Sequence, residues 1–177
     1  MALAPDLRTL VTEQDYLLLP ESMERVELLD GEVIVSPSPS DRHQRILVAL
    51  VTELAIWARS HPPAAVRVAP LDVRFGPSRI LQPDAFVVLS GIPADAATPL
   101  ELIPDLAVEV LSGRRSHDRI TKRVVYADAG VAEYWVVDPE TRTVEVYRGP
   151  EPGVVVDETL RSSVLPGFSL ALDQLFG

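Results

Sequence analysis

Leu106-Ala-Val-Glu-Val-Leu111, then Ser116 through Gly130, then Tyr134-Trp-Val-Val137, is the stretch that sets the fold class. Its first run is apolar except at Glu109 and reads as a buried strand. Ser116 caps a helix that closes at Gly130. Tyr134-Trp-Val-Val137 and Thr143-Val-Glu-Val-Tyr147 then make a hairpin around Asp138-Pro-Glu-Thr-Arg142. Working upstream, Ala85-Phe-Val-Val-Leu89 is a second apolar strand between Pro83-Asp84 and Ser90-Gly91, and Val66 to Phe75 holds one or two strands broken at Pro70. Ile92 to Pro104, with three prolines, reads as a surface loop. Ser40 caps a long helix on which Ile46, Leu47, Leu50, Val51, Leu54, Trp57 and Ala58 recur at helical spacing until His61-Pro-Pro ends it. Asp30-Gly31, between Val26-Glu-Leu-Leu and Glu32-Val-Ile-Val, is a strong hairpin signal, and Thr12 with Asp15 starts a short helix closed by Pro20. Downstream, Val154-Val-Val156 adds a strand and Leu170 to Phe176 a last helical turn or two. Strands interleaved with two substantial helices predict an α/β or α+β fold, a mixed sheet with helices against it.

A chain of 177 residues that is 47% hydrophobic and 24% charged suits one packed domain spanning 1–177. The absence of cysteine excludes disulfides, thiolate metal sites and cysteine nucleophiles, and points to a reducing compartment. The start carries no basic segment followed by an apolar run, and no stretch is long enough to span a membrane. The expected location is the cytoplasm, with no membrane partner. A net charge of −10 opposes loose binding to nucleic acid, so any such contact must be local.

Two carboxylates stand where charge is costly. Asp84 opens a strand whose next five residues are apolar, and Glu109 interrupts its strand midway. A buried, ionised carboxylate needs a cation or hydrogen bonds to offset its desolvation, and a metal ion is one candidate. Alternation places Glu109 on a face with Ala107 and Leu111, opposite Leu106, Val108 and Val110. The alternatives are that Glu109 faces solvent or pairs with one of the 15 arginines, and that Asp84 only caps a turn. Lys122, the single lysine, lies on the helix after the Glu109 strand. Ile120, Val124 and Ala127 form one apolar face of that helix, and Lys122 projects among Val125, Tyr126 and Ala129 near the other. Its alternative is a surface pair with Asp118, worth about a few tenths of a kcal/mol. Arg114, Arg115, Arg119 and Arg123, with His117, surround the start of the helix, where they suit a phosphate backbone or form a solvated basic end.

The three histidines show no paired metal spacing, and no GxSxG, Walker or GxGxxG pattern occurs, which disfavours zinc hydrolases, serine hydrolases and nucleotide-binding enzymes. The remaining motifs follow a distinctive order. Glu27-Leu-Leu-Asp-Gly-Glu, Pro39-Ser-Asp-Arg-His-Gln44, Pro70-Leu-Asp-Val-Arg74, Gln82-Pro-Asp84, Val108-Glu-Val-Leu-Ser112, Asp118 to Lys122 and Tyr126-Ala-Asp-Ala-Gly-Val-Ala-Glu-Tyr-Trp-Val-Val-Asp-Pro139 follow one another along the chain. This order resembles the Uma-two family, formerly a domain of unknown function and now assigned to restriction endonucleases in the PD-(D/E)xK nuclease-like superfamily. The resemblance covers about residues 10–148 and leaves 149–177 as a C-terminal extension of the same domain.

The resemblance implies a restriction-endonuclease-like core in which Asp84, Glu109 and the backbone carbonyl of Val110 bind Mg²⁺ or Mn²⁺, assisted by Lys122. Glu27 would be a further metal ligand, unless its hairpin strand turns it to water. The usual superfamily lysine stands two residues after the glutamate, where this chain has Leu111, so the sequence is similar to branches whose lysine has moved to the next helix. Hard oxygen ligands suit these ions, which activate water and neutralise phosphate charge. His43, Gln44, Arg114 and Arg119 are the expected substrate contacts. The implied activity is metal-dependent hydrolysis of DNA phosphodiesters. The alternative is a catalytically inactive nuclease-like binding module, suggested by the acidic charge and by Leu111. The hairpin carrying Tyr134, Trp135 and Tyr147 is a candidate homodimer surface, or else core.

Overall fold

The computed structural model describes residues 10–20, 24–112 and 116–177, the side chains of residues 116–119 excepted. Helix α1 (Glu13–Leu17) begins with the expected cap: Thr12 accepts a hydrogen bond from the Asp15 N–H and donates one to its carboxylate. Strands β1 (Arg25–Leu29) and β2 (Glu32–Ser36) turn at Asp30-Gly31, where both residues take positive φ (49° and 88°), as a two-residue hairpin of this twist requires. Helix α2 (Asp41–Arg59) is capped by the Ser40 hydroxyl on the His43 N–H, and buries Ile46, Leu50, Leu54, Trp57 and Ala58.

The chain continues through β3 (Ala65–Val68), β4 (Val73–Gly76), β5 (Arg79–Leu81), β6 (Ala85–Val88) and β7 (Leu106–Val110). After α3 (Ser116–Ala129) come β8 (Glu133–Asp138), β9 (Thr143–Tyr147), β10 (Val154–Val156), β11 (Thr159–Arg161), β12 (Ser169–Ala171) and α4 (Leu172–Phe176). The expected mixed sheet is six-stranded, in the order β10-β9-β8-β7-β6-β3, and antiparallel except where α3 carries the chain across from β7 to a parallel β8. A second, antiparallel sheet of order β2-β1-β5-β4 was not expected as a separate layer, because β5 is three residues long and follows Gly76-Pro77-Ser78 too closely to show a period. The loop before β7 is not wholly superficial. Leu100 is buried and bridges to Val73. Among the described residues no helix is long and apolar enough to cross a membrane.

Alternation along the central strands divides the core in two. On one face, Leu106, Val108 and Val110 of β7 and Ala85 and Val87 of β6 pack with α2 and the C-terminal residues Leu160, Leu165, Phe168, Leu170 and Leu175. On the other, Ala107 and Phe86 pack with Val125 and Tyr126 of α3 and with Leu29, Val73 and Leu81 of the smaller sheet. Each large apolar side chain so buried contributes about 1.5–3 kcal/mol. Tyr134, Trp135 and Tyr147 are 3%, 0% and 5% exposed, so the hairpin considered as a dimer surface is core.

Glu133, the first residue of β8, is fully buried and fastens the C-terminal segment to the sheet. Trp135 donates its indole N–H to Oε1 at 2.8 Å, while Oε2 accepts from Arg148 Nε and from the backbone N–H and hydroxyl of Ser163. Glu133→Ala strands the Trp135 and Ser163 donors, and each orphaned group is expected to cost about 1–3 kcal/mol in urea unfolding. Arg148→Ala, at a half-exposed side chain, is expected to cost less; an equal loss would mean that the ion pair, and not the buried donors, dominates.

Candidate active site

Strand register assembles the centre of the site. Ala85 lies opposite Val108 in the antiparallel β6–β7 pair, so one step outward sets Asp84 opposite Glu109 on the face turned toward α3 and the smaller sheet. The Val110 N–H donates to Asp84 Oδ2 at 2.7 Å and fixes that carboxylate at the mouth of β6. From the smaller sheet, β1 contributes Glu27, held at Oε1 by the Gln82 N–H at 2.7 Å. From the helix, Lys122 donates to Glu27 Oε1 at 2.9 Å and to Glu109 Oε1 at 3.0 Å, and Tyr126, one turn later, donates to Glu109 Oε1 at 2.9 Å.

Lys122 is 2% exposed and forms a buried bridge between two layers through Glu27 and Glu109, while the side chain of Asp118 lies outside the described residues. Of the two apolar faces read on α3, the one with Val125 and Tyr126 is buried, whereas Ile120 and Val124 face outward. Glu27 is fully buried and does not face water.

Arg25, two residues before Glu27 and on the same face of β1, completes the cluster. Its guanidinium reaches Asp84 Oδ1 at 2.5 Å, Glu27 Oε1 at 3.3 Å and Glu109 Oε2 at 3.4 Å, and also donates to the Gln82 carbonyl. A cavity of about 190 Å³ opens onto this cluster, walled by Arg25, Ser36, His43, Gln44, Asp84 and Ser112. His43 Nε2 lies 3.7 Å from Asp84 Oδ2.

The two central carboxylates are driven apart in acidity. Burial, and then the charge of Glu109, push Asp84 up to about 7 against the pull of Arg25, the Val110 N–H and Lys122. Burial acts on Glu109 too, but Lys122 and Arg25, with hydrogen bonds from Lys122 and Tyr126, hold it below the usual carboxylate range. Burial also opposes the charge on Arg25, and Glu109, Glu27 and Asp84 together outweigh it, keeping the guanidinium protonated. Tyr126 is pushed well up by burial and by Glu109, and so remains a donor.

The structure therefore unites Asp84, Glu109, Lys122 and Glu27, with His43 beside them and Gln44 on the cavity wall. Val110 takes part through its N–H. Arg114, Arg115 and the side chains of His117 and Arg119 lie outside the described residues. Arg123 is turned elsewhere, stacked 4.5 Å over Tyr147 and donating to the carbonyl of Glu151. Sequence reasoning missed Arg25, Tyr126 and the backbone of Gln82. Arg25 shares the face of β1 that carries Glu27 and Leu29, but alternation alone does not mark that face as inward, because Leu28 on the opposite face is buried as well.

A mixed α/β layer of this topology is a nuclease-type fold. One similar solved structure is the crystal structure of "a putative nuclease belonging to DUF820 from Anabaena variabilis ATCC 29413", with a TM-score of 0.80 and 28% identity over 94% of this chain and 97% of that one. The chain belongs to the Uma2 family, described as "Putative restriction endonuclease", whose model matches residues 13–173. That match runs past residue 148, where the sequence resemblance stops, and into α4. No curated protein matches the chain.

Two outcomes test the electrostatics of the cluster. Lys122→Met leaves Glu27 and Glu109 buried with Arg25 as their remaining described cation, and is expected to lower the unfolding free energy by about 3–5 kcal/mol in urea titration. Asp84 has its folded value raised from 3.8 to about 7, so its stabilising contribution is complete below the lower figure and fades as pH rises through the higher one. The metal-free protein should then lose thermal stability between about pH 4 and pH 7, and Asp84→Asn, which cannot ionise, should lose less. Identical slopes would show that Asp84 does not titrate there.

Proposed function

We propose that this protein is a metal-dependent endonuclease that hydrolyses DNA phosphodiester bonds at the Asp84–Glu109–Lys122 cluster. The observation that carries the reading is the convergence of three buried carboxylates and a buried lysine, from two sheets and a helix, with Asp84 on the wall of a cavity. A structural ion pair does not need a third acid, since each further buried carboxylate adds a desolvation cost.

The donor set fits a hard divalent cation. All the acidic groups offer oxygen, and Glu27 Oε2 is a buried carboxylate oxygen without a hydrogen-bond partner among the described residues. Asp84 and Glu109, with the Val110 carbonyl and Glu27, would hold Mg²⁺ or Mn²⁺. When bound, such an ion lowers the pKa of water and neutralises charge on a phosphate oxygen. The chain's own groups supply the rest. Lys122, fixed by two carboxylates, orients the attacking water and offsets charge developing on the phosphate. Water adds to phosphorus, the P–O ester bond breaks, and the departing oxygen takes up a proton. His43 and Gln44 on the cavity wall, with Arg114 and Arg119 from the start of α3, would position the backbone of the substrate. A protein of charge −10 needs such local contacts, and its lack of cysteine supports a reducing, cytoplasmic setting.

One observation favours the second reading, a nuclease-like binding module without turnover: Arg25 already touches all three carboxylates. Incubation of plasmid and single-stranded DNA with Mg²⁺ or Mn²⁺ separates the two. Cleavage by the wild type is expected to fall by about 10²–10⁴-fold in Glu109→Gln and in Asp84→Asn, each verified as folded by circular dichroism. Cleavage that survives both substitutions would mean that a contaminant or another site is responsible. DNA binding with no cleavage under any metal would favour the inactive module.

A further inference from the structure

We infer that the Arg25 guanidinium occupies the cation position among Asp84, Glu109 and Glu27, so that a divalent ion and Arg25 compete for the same oxygens and loading the site displaces Arg25 into the cavity. This rests on the metal-dependent reading above and adds a residue that controls access to the site.

Three features of the site lead there. The acceptors of Arg25 are all oxygens and come from four residues, the three carboxylates and the Gln82 carbonyl, which is the hard, multi-residue environment a divalent ion also selects. No group of three or more acidic or histidine side chains among the described residues is assembled to take a metal, and Arg25 stands in contact with all three carboxylates. Lys122 cannot be the exchanging cation, since it is enclosed at 3% side-chain exposure, whereas Arg25 is 18% exposed and forms part of the cavity wall.

Charge and hydrogen bonding agree with exchange over permanent bracing. Three carboxylates face two cations, so that full ionisation of all three would leave one negative charge uncovered; a divalent ion in place of the guanidinium removes that deficit. The guanidinium is also incompletely satisfied, for its Nε–H is buried and finds no acceptor among the described residues. A permanent brace selected for stability would have that donor paired. Arg25 begins β1, so its long side chain can turn toward His43 by rotation about its own bonds while Glu27 stays in register.

The test is Mn²⁺ titration by calorimetry, without nucleic acid, of the wild type, Arg25→Met and the Arg25→Met/Glu109→Gln double variant. Arg25→Met keeps much of the apolar stem and removes the competing charge. It should bind Mn²⁺ at least about tenfold more tightly than the wild type, and the double variant should lose that binding. Equal or weaker binding by folded Arg25→Met, with the wild type still binding, overturns the competition and leaves the nuclease reading standing. Binding by neither protein overturns both. Should Arg25→Met fail to fold without metal, the wild type labelled with ¹⁵N in its arginine side chains gives the second readout. Saturating Mg²⁺ is expected to shift the Arg25 Nε–Hε resonance and abolish its protection from solvent exchange. An unmoved, protected signal at saturation overturns the proposal.

Discussion

Three carboxylates held out of water with two cations between them are the constraint around which this protein is arranged. Glu27, Asp84 and Glu109 come from β1, the entrance to β6 and the middle of β7, and each is at most 8% exposed. No single layer could hold them. The six-stranded sheet sets Asp84 opposite Glu109, the smaller sheet brings Glu27 and Arg25 over them, and α3 drops Lys122 and Tyr126 into the gap. Removing any one layer leaves a buried charge uncovered, so the electrostatics bind the layers as firmly as the apolar contacts between them. The same arrangement opposes full ionisation, which is why Asp84 is driven up while Glu109 stays low.

The centre at Glu133 shows that a buried acid is not by itself a functional signal. Glu133 is as buried as Glu27, and its two oxygens share four donors from Trp135, Arg148 and Ser163. Its work is to fasten the C-terminal segment, whose Leu160, Leu165 and Phe168 complete the core on the α2 side. The Asp84–Glu109 cluster differs in the properties that matter for chemistry. It opens to a cavity, it gathers like charges, and it retains an unpaired carboxylate oxygen and an unpaired guanidinium N–H among the described residues.

Much of this was legible in the sequence because local rules and tertiary structure agree. The Asp30-Gly31 turn, the Ser40 cap, the apolar spacing of α2 and the opposite facing of Glu109 and Val108 all follow from short-range geometry. What was hidden depended on distant partners. Glu27 could not be told from a solvent-facing hairpin residue, because the groups that bury it, Gln82 and Lys122, lie 55 and 95 residues away. Lys122 satisfied the helical spacing for a surface pair with Asp118 as well as for a buried one, and only the packing of α3 between the sheets decides the matter. Strand β5 was lost for another reason: three residues after a tight turn carry no measurable period.

The position of the lysine follows from the same packing. Leu111, where the usual superfamily pattern has lysine, is a partly buried hydrophobe packed against the core shared by the sheet, α3 and the smaller sheet. An ammonium there would be pressed into apolar neighbours at a considerable desolvation cost. Helix α3 offers a better route, because it crosses the face of β7 that carries Glu109 and places residue 122 over that carboxylate, with Tyr126 one turn further on as a second donor. Lys122 then reaches Glu109 from above and Glu27 from the side, joining the helix to both sheets with a single charge. From the helix, Lys122 thus contacts the glutamate and also joins the layers, a structural duty that a lysine in the strand would not have had. A loss of activity at Lys122 has to be read against a loss of stability at the same residue.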